Sequence, residues 1–93
     1  MPGKLTKAKL SKEIARNCDF SLKEGKQLLE LILDAMVRSL SRGERVEIRG
    51  FGSFAVRVRD ARVGRNPKTG ARVGVPAKRV AYFRASKRLK EVL

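Results

Sequence analysis

The chain has 93 residues, with 23 Lys and Arg against nine Asp and Glu and a formal net charge of +14. That length makes one domain at most, and a chain this short buries little more than about 60% of its unfolded surface, so its core is marginal. There is no histidine, and the single cysteine, Cys18, cannot pair within the chain, so a disulfide framework and a His/Cys metal site are both excluded.

Thr6 is a good N-cap for a first helix running to about Asn17, with Leu10, Ile14 and Ala15 at helical spacing on one face. Asn17 to Phe20 makes a turn. Ser21 and Glu24 then form an S-x-x-E capping box that opens a second helix, running to about Ser41, and Gly43 suits the left-handed position after it. This second helix is apolar at Leu28, Leu29, Leu31, Ile32, Leu33, Ala35, Met36, Val37 and Leu40. The set is much wider than the stripe of about 100° that a helix packing on one partner needs. Within so short a chain the second cover is expected from another subunit.

Residues 45–49 alternate, with Val46 and Ile48 to one side and Glu47 and Arg49 to the other. Gly50 and Gly52 bracket Phe51 in a tight reversal. Phe54, Val56 and Val58 then alternate with Ala55, Arg57 and Arg59, a hairpin strand with an apolar inner and a charged outer face. Beyond Arg59 arginines dominate. Asn66-Pro67 and Thr69-Gly70 are turn dipeptides, and Val73 and Val75 return the chain. Gly64 and Gly74 weaken the hairpin and suit bulges or close approach to a ligand. Val80, Tyr82 and Phe83 are expected to rejoin the core. Ser86 can cap a last helix through about Val92, with Leu89 and Val92 facing inward. The resulting fold class is α+β: two helices, an antiparallel sheet with a long basic hairpin, and a short C-terminal helix.

The charge is concentrated. Residues 57–79 carry Arg57, Arg59, Arg62, Arg65, Lys68, Arg72, Lys78 and Arg79 against Asp60 alone, half of the net charge in a quarter of the chain. A one-signed patch of this kind binds polyanions by releasing the counterions of their phosphates, whereas a solubilising surface mixes both signs. Pro67 sits at the tip of this arginine-lined hairpin, which suggests an apolar wedge delivered to DNA. A nucleic-acid-processing enzyme fails on inventory: Glu44 and Glu47, the nearest acidic pair, fall on opposite faces of a strand. No catalytic residue, cofactor or small-molecule substrate is expected. A single-strand or RNA binder needs exposed stacking aromatics, and nearly all of the four Phe and one Tyr fall on apolar faces. No apolar run nears about 20 residues, and residues 1–7 lack the apolar core of a signal peptide. A soluble intracellular protein is expected, with Cys18 a small half-buried apolar residue.

With these residues in hand, the chain resembles the HU/integration host factor family of bacterial nucleoid proteins. The resemblance is carried by Gly50-Phe51-Gly52-Ser53-Phe54 and Gly64-Arg65-Asn66-Pro67-Lys68-Thr69-Gly70, and it covers nearly the whole chain. It implies an intertwined dimer: residues 1–43 a helical dimerisation part, 44–83 a sheet with a DNA-binding arm at about 57–79, and 84–93 a C-terminal helix. It implies double-stranded DNA as the partner, bent through the minor groove, in the cytoplasm on the nucleoid. Pro67 would intercalate, flanked by Arg65, Asn66 and Lys68. Arg57, Arg59, Arg62, Arg72 and Arg79 would follow phosphates along the arm, with Lys78 in the same basic run. Ser53, Arg84, Lys87 and Lys90 would contact DNA on the body, and Lys7 would sit near the flanking duplex.

The run Glu44-Arg45-Val46-Glu47-Ile48-Arg49-Gly50 is similar to the integration host factor beta subunit. In that subunit the residue matching Arg49 enters the minor groove and the one matching Glu47 holds it. The alternative is an ordinary solvated strand pair worth under about 1 kcal/mol. The connector before the second helix is shorter and more HU-like. A self-pairing protein and one half of a heterodimer both remain open.

Overall fold

The computed structural model describes residues 3–93. The chain divides into two compact units, one reaching to Arg38 and the other covering Ser39–Leu93. The first unit holds α1 (Lys7–Cys18) and most of α2 (Leu22–Ser41). Thr6 caps α1 by accepting the Lys9 N–H at 3.2 Å. The helix stops at Asp19, which takes a left-handed φ of 55°. Aspartate is one of the few non-glycine residues that tolerates this position. The turn lets the Phe20 N–H return to the Ala15 carbonyl at 2.9 Å, a bond that satisfies one of the helix's orphan acceptors.

The Ser21–Glu24 capping box forms in both directions: the Ser21 N–H donates to Glu24 Oε1 at 2.9 Å, and the Glu24 N–H donates to Ser21 Oγ at 3.1 Å. The first of these bonds holds the Glu24 carboxyl below its ordinary pKa. Its capping contribution is therefore present at neutral pH and is lost as pH falls through that lowered value.

Where the two helices meet, contact is made by small groups. Gly25 and Ser11 are buried, Ser11 returning its hydroxyl to the Lys7 carbonyl at 2.9 Å. A methyl group at Gly25 would stand 2.6 Å from the Ser11 carbonyl oxygen and 3.0 Å from Ala15 Cβ. The apolar spacing of α1 and α2 singles out neither residue, because neither is hydrophobic.

The second unit is built on an antiparallel sheet of order β1-β2-β5, where β1 is Val46–Ile48, β2 Gly52–Arg59 and β5 Lys78–Ala85. The reversal at Phe51 is a turn closed by the Phe51 N–H on the Ile48 carbonyl at 3.0 Å. Gly50 supplies the positive φ of 83° it requires. Gly52 is buried because a Cβ there would strike the Arg84 carbonyl at 2.5 Å and the Phe83 ring at 2.6 Å.

The basic hairpin is not one continuous ladder. Beyond β2 and β5 it resumes as a separate ribbon of β3 (Arg62–Arg65) and β4 (Arg72–Val75). Arg59 pairs with Lys78 and Arg62 with Val75, so the register carries across the gap without an inserted residue. Pro76 lies in the gap and has no N–H to give to a ladder. Gly64 and Gly74 sit in register opposite Val73 and Val63, with no bulge at either. The last helix, α3 (Lys87–Glu91), is capped by Ser86, which accepts the Leu89 N–H at 3.1 Å. Val92 is exposed in this chain rather than turned inward, and Cys18 is exposed rather than half-buried.

The core of a single chain is very small. Among the described residues only Ala15 and Leu29 are buried hydrophobics. On α2, Leu31 is 62% and Val37 63% exposed, with Ile32 and Leu33 also open. On the sheet, Phe51 and Phe83 are each 45% exposed although their rings touch at 5.4 Å between centroids. This much open apolar surface on a small protein marks an interface.

Two outcomes follow from these features. Light scattering should give twice the 10.4 kDa chain mass, and unfolding midpoints should rise with protein concentration. A folded monomer at micromolar concentration contradicts this. Gly25→Ala should destabilise the protein by about 1–3 kcal/mol in urea unfolding, the usual range for overpacking, because the atoms it meets include backbone. An unchanged midpoint would mean that the helices separate freely.

Candidate nucleic-acid interface

Strand register sorts the sheet into two chemically distinct faces. Side chains opposite each other in an antiparallel pair lie on the same face and alternate along each strand. The pairs Val46↔Phe54, Phe54↔Phe83 and Val56↔Ala81 make the apolar face. The pairs Ser53↔Arg84, Ala55↔Tyr82, Arg57↔Val80 and Arg59↔Lys78 make the other. Glu47 lies across from Ser53, so Glu47, Ser53 and Arg84 form one row across the three strands. Tyr82 and Val80 therefore stand on the cationic face, Val80 half-buried there, while Phe83 and Ala81 lie on the apolar one. Strict alternation already forbids Tyr82 and Phe83 from sharing a face.

At one end of this face Arg45, Glu47, Arg49, Ser53, Arg84, Lys87 and Lys90 line a shallow basic concavity. Arg49 occupies the turn between β1 and β2, next to Gly50. The Glu47 carboxylate accepts from Arg45 at 2.8 Å. The structure thus gives Glu47 a partner other than Arg49, and among the described residues no hydrogen bond or ion pair joins Glu47 to Arg49. Farther along, the Arg57 guanidinium stands 5.0 Å from the centre of the Tyr82 ring, and Arg59 donates to the Tyr82 hydroxyl at 3.3 Å. That bond, with the charge behind it, lowers the phenol's pKa and raises that of Arg59.

The ribbon holds its charge without compensation. None of the ion pairs among the described residues involves residues 57–79. Arg65 faces Arg72 directly across the strands, an arrangement that destabilises a ladder unless an anion lies between the two. At the tip, the Gly70 N–H returns to the Asn66 carbonyl at 2.7 Å, and Asn66 Oδ1 accepts the Lys68 N–H at 2.9 Å. Gly70 takes a φ of 72°. Asn66 therefore shapes the loop, and Pro67 and Lys68 are exposed on it. The tip is an ordered turn that presents a proline.

One of the expected contact residues is placed differently. Arg79 pairs with Val58 on the apolar side, and its guanidinium donates to the Leu40 and Ser41 carbonyls at 3.3 and 3.1 Å. It neutralises the C-terminus of α2 rather than lying free along the arm. Lys7 belongs to the helical unit, where its ammonium stands 3.6 Å from Glu30. Among the described residues no cluster of His, Cys, Asp and Glu could hold a metal ion, and no helix is long and apolar enough to cross a membrane.

A family model described as bacterial DNA-binding protein matches residues 5–93. The chain belongs to this family. It is a family of DNA-binding proteins rather than of enzymes. The integration host factor subunit beta of Nitrosomonas europaea is 49% identical over 90 residues, covering 96% of this chain and 86% of that one. The same subunit of Dechloromonas aromatica is 54% identical over 78 residues, covering 84% and 76%. Among solved structures, an Anabaena HU–DNA cocrystal matches with a TM-score of 0.87 at 36% identity, over 95% of this chain and 96% of that one. A point mutant of HU from Thermotoga maritima matches with a TM-score of 0.68 at 28% identity, over 95% and 97%. The alignments take in the arm and the body alike.

The geometry separates the arginines into two kinds, and salt separates them experimentally. Each phosphate neutralised contributes about 0.9 to the slope of log K against log salt. Replacing Arg57, Arg59 and Arg62 together by Ala should lower that slope by about 2–3. Arg79→Ala should lower the unfolding midpoint, by about 0.3–1 kcal/mol, and leave the slope nearly unchanged. A slope that falls for Arg79→Ala as it does for the arm residues would reverse this assignment.

Proposed function

We propose that the protein is an architectural component of the bacterial nucleoid, in the cytoplasm, that binds double-stranded DNA as an intertwined dimer and bends it. Residues 1–43 would supply most of the dimer interface, 44–83 the sheet and arm, and 84–93 the C-terminal helix. The observation that carries the reading is the ribbon: opposed, uncompensated arginines leading to an exposed proline. Among the described residues Arg62, Arg65 and Arg72 form no ion pair, and phosphates supply the missing anions. Membership of a DNA-binding family and the fold shared with an HU seen on DNA support it.

In this reading the cationic face of the sheet and the basic concavity seat the duplex. Arg57, Arg59, Arg62 and Arg72, with Lys78, track phosphates from the sheet to the ribbon. Arg65 and Lys68 line the minor groove beside Pro67, and Asn66 holds the loop that carries it. Ser53, Arg84, Lys87 and Lys90 take phosphates on the body, and Lys7 the flanking duplex. Arg49 reaches a groove edge from the β1–β2 turn. Its cation suits a narrow, A-tract-like minor groove, where the negative potential deepens. No cofactor enters the mechanism. A second reading, one half of a sequence-preferring heterodimer, is favoured by the beta-subunit relatives and by the likeness of the run at residues 44–50 to that subunit. A chain that pairs stably with itself, and shows no gap between best and random sites, favours the self-pairing form.

Pro67 inserts a compact apolar ring and sacrifices no backbone donor in doing so. Unstacking a base step costs roughly a few kcal/mol, offset when the bent duplex touches more of the basic body. Pro67→Ala should leave the dimer and its melting midpoint intact and reduce the bend seen by energy transfer between duplex ends. Affinity for straight duplex should fall more than affinity for nicked duplex, where part of the bending cost is already met. Equal losses on both, with an unchanged bend, would reject the wedge.

A further inference from the structure

Tyr82 occupies the middle of the cationic face, and nothing in the apolar core needs it there. It is 39% exposed. Its neighbour across the ladder is Ala55, whose methyl leaves the ring uncrowded. On the same face the next pairs are Ser53 with Arg84 in one direction and Arg57 with Val80 in the other. The side chain is held by two cations at once: Arg57 stands 5.0 Å from the ring centre, and Arg59 donates to the hydroxyl oxygen at 3.3 Å.

This arrangement has a directional consequence. A phenol has one hydrogen to donate and lone pairs to accept. Arg59 uses an accepting position, so the hydroxyl hydrogen remains to be given. An oxygen that accepts from a cation donates its own hydrogen more strongly, consistent with the lowered pKa of this phenol. The acceptor that fits an exposed O–H set between two guanidinium groups is an anion, and a phosphodiester oxygen is the anion that the surrounding face is built for.

We propose that Tyr82 is a DNA-contacting residue at the base of the arm, donating its hydroxyl to a backbone phosphate while Arg57 and Arg59 hold the ring and share that phosphate's charge. The proposal rests on the DNA-binding reading above. It also makes the tyrosine a positioning residue for both arginines: the ring fixes Arg57 by its π-face, the oxygen fixes Arg59, and less side-chain freedom is lost when DNA arrives.

The chain has one tyrosine and no tryptophan, so every tyrosine signal is Tyr82. The test uses the full chain and a nicked duplex. NMR of protein carrying isotope-labelled tyrosine is followed against pH, with and without the duplex. Free, the phenol should titrate below its ordinary 10.0. With DNA bound the midpoint should move up, because a phosphate beside the oxygen disfavours the phenolate. Y82F keeps the ring under Arg57 and removes the hydroxyl; it should melt like the natural protein and bind the duplex about 3- to 10-fold more weakly. Y82A loses both supports and should bind more weakly still.

If the natural protein binds with a steep salt dependence, while the Tyr82 midpoint stays put and Y82F binds equally well, the contact is refuted and the DNA-binding reading stands. A protein that does not bind the duplex at all overturns both. If Y82F loses affinity only in proportion to a lowered melting midpoint, with the titration unmoved by DNA, the tyrosine is structural and the proposal fails.

Discussion

The register between β2 and β5 is the constraint on which the rest depends. A slip of one residue would put Phe54 and Val56 on the face opposite to Phe83 and bring Arg57 and Arg59 onto the side that Phe83 covers. Close approach at one end of the ladder helps to set the register. Gly52 lies opposite Ala85 with the Arg84 carbonyl and the Phe83 ring so near that no side chain fits. The turn at Gly50 and the bond from the Ser86 N–H to the Phe51 carbonyl at 2.9 Å tie the same corner to the last helix. From that corner the alternation runs outward for eight pairs in β2 and β5 and, across a gap, for four more in the ribbon. The cationic face, the concavity at its end and the direction of the arm are all consequences of where this ladder begins.

Electrostatics and folding pull against each other along the hairpin. Near the body three arginines have protein partners: Arg57 and Arg59 share Tyr82, and Arg79 takes the α2 carbonyls. Farther out the partners end, and Arg65 faces Arg72. The protein places its least compensated charge where the backbone is least supported, on a ribbon of two short strands. Such a ribbon has little stability alone. Its repulsion is the part of the folding free energy that a polyanion can return on binding.

Much of this was legible in the residues. Caps and glycines mark the ends of α1, α2 and α3 because the chemistry that stops a helix is local: Thr6, Ser21 with Glu24, Gly43 and Ser86 all act within a few residues. The charged and apolar faces followed from alternation. The exceptions have physical reasons. Gly25 and Ser11 carry no hydrophobic signal, and their role is to be small where two backbones approach. Tyr82 is hydrophobic by composition and cationic-face by position, and composition alone misassigns it. Arg79 is indistinguishable from its neighbours in a basic run, yet the pairing with Val58 turns it toward the end of α2. The break at Pro76 depends on which strand lies opposite, which no local pattern states.

The ribbon has a further property that concerns its own kind. Two strands alone leave both outer edges with unpaired N–H and C=O groups, a template on which another extended chain can add. Wherever two copies of the chain come close, such edges can meet. Here the edges are short, Pro76 removes a donor at the base of one, and Arg62, Arg65 and Arg72 give every copy the same sign of charge. Two free ribbons repel each other before their backbones can pair. The like charge that leaves the arm uncompensated also keeps it from becoming a strand in someone else's sheet.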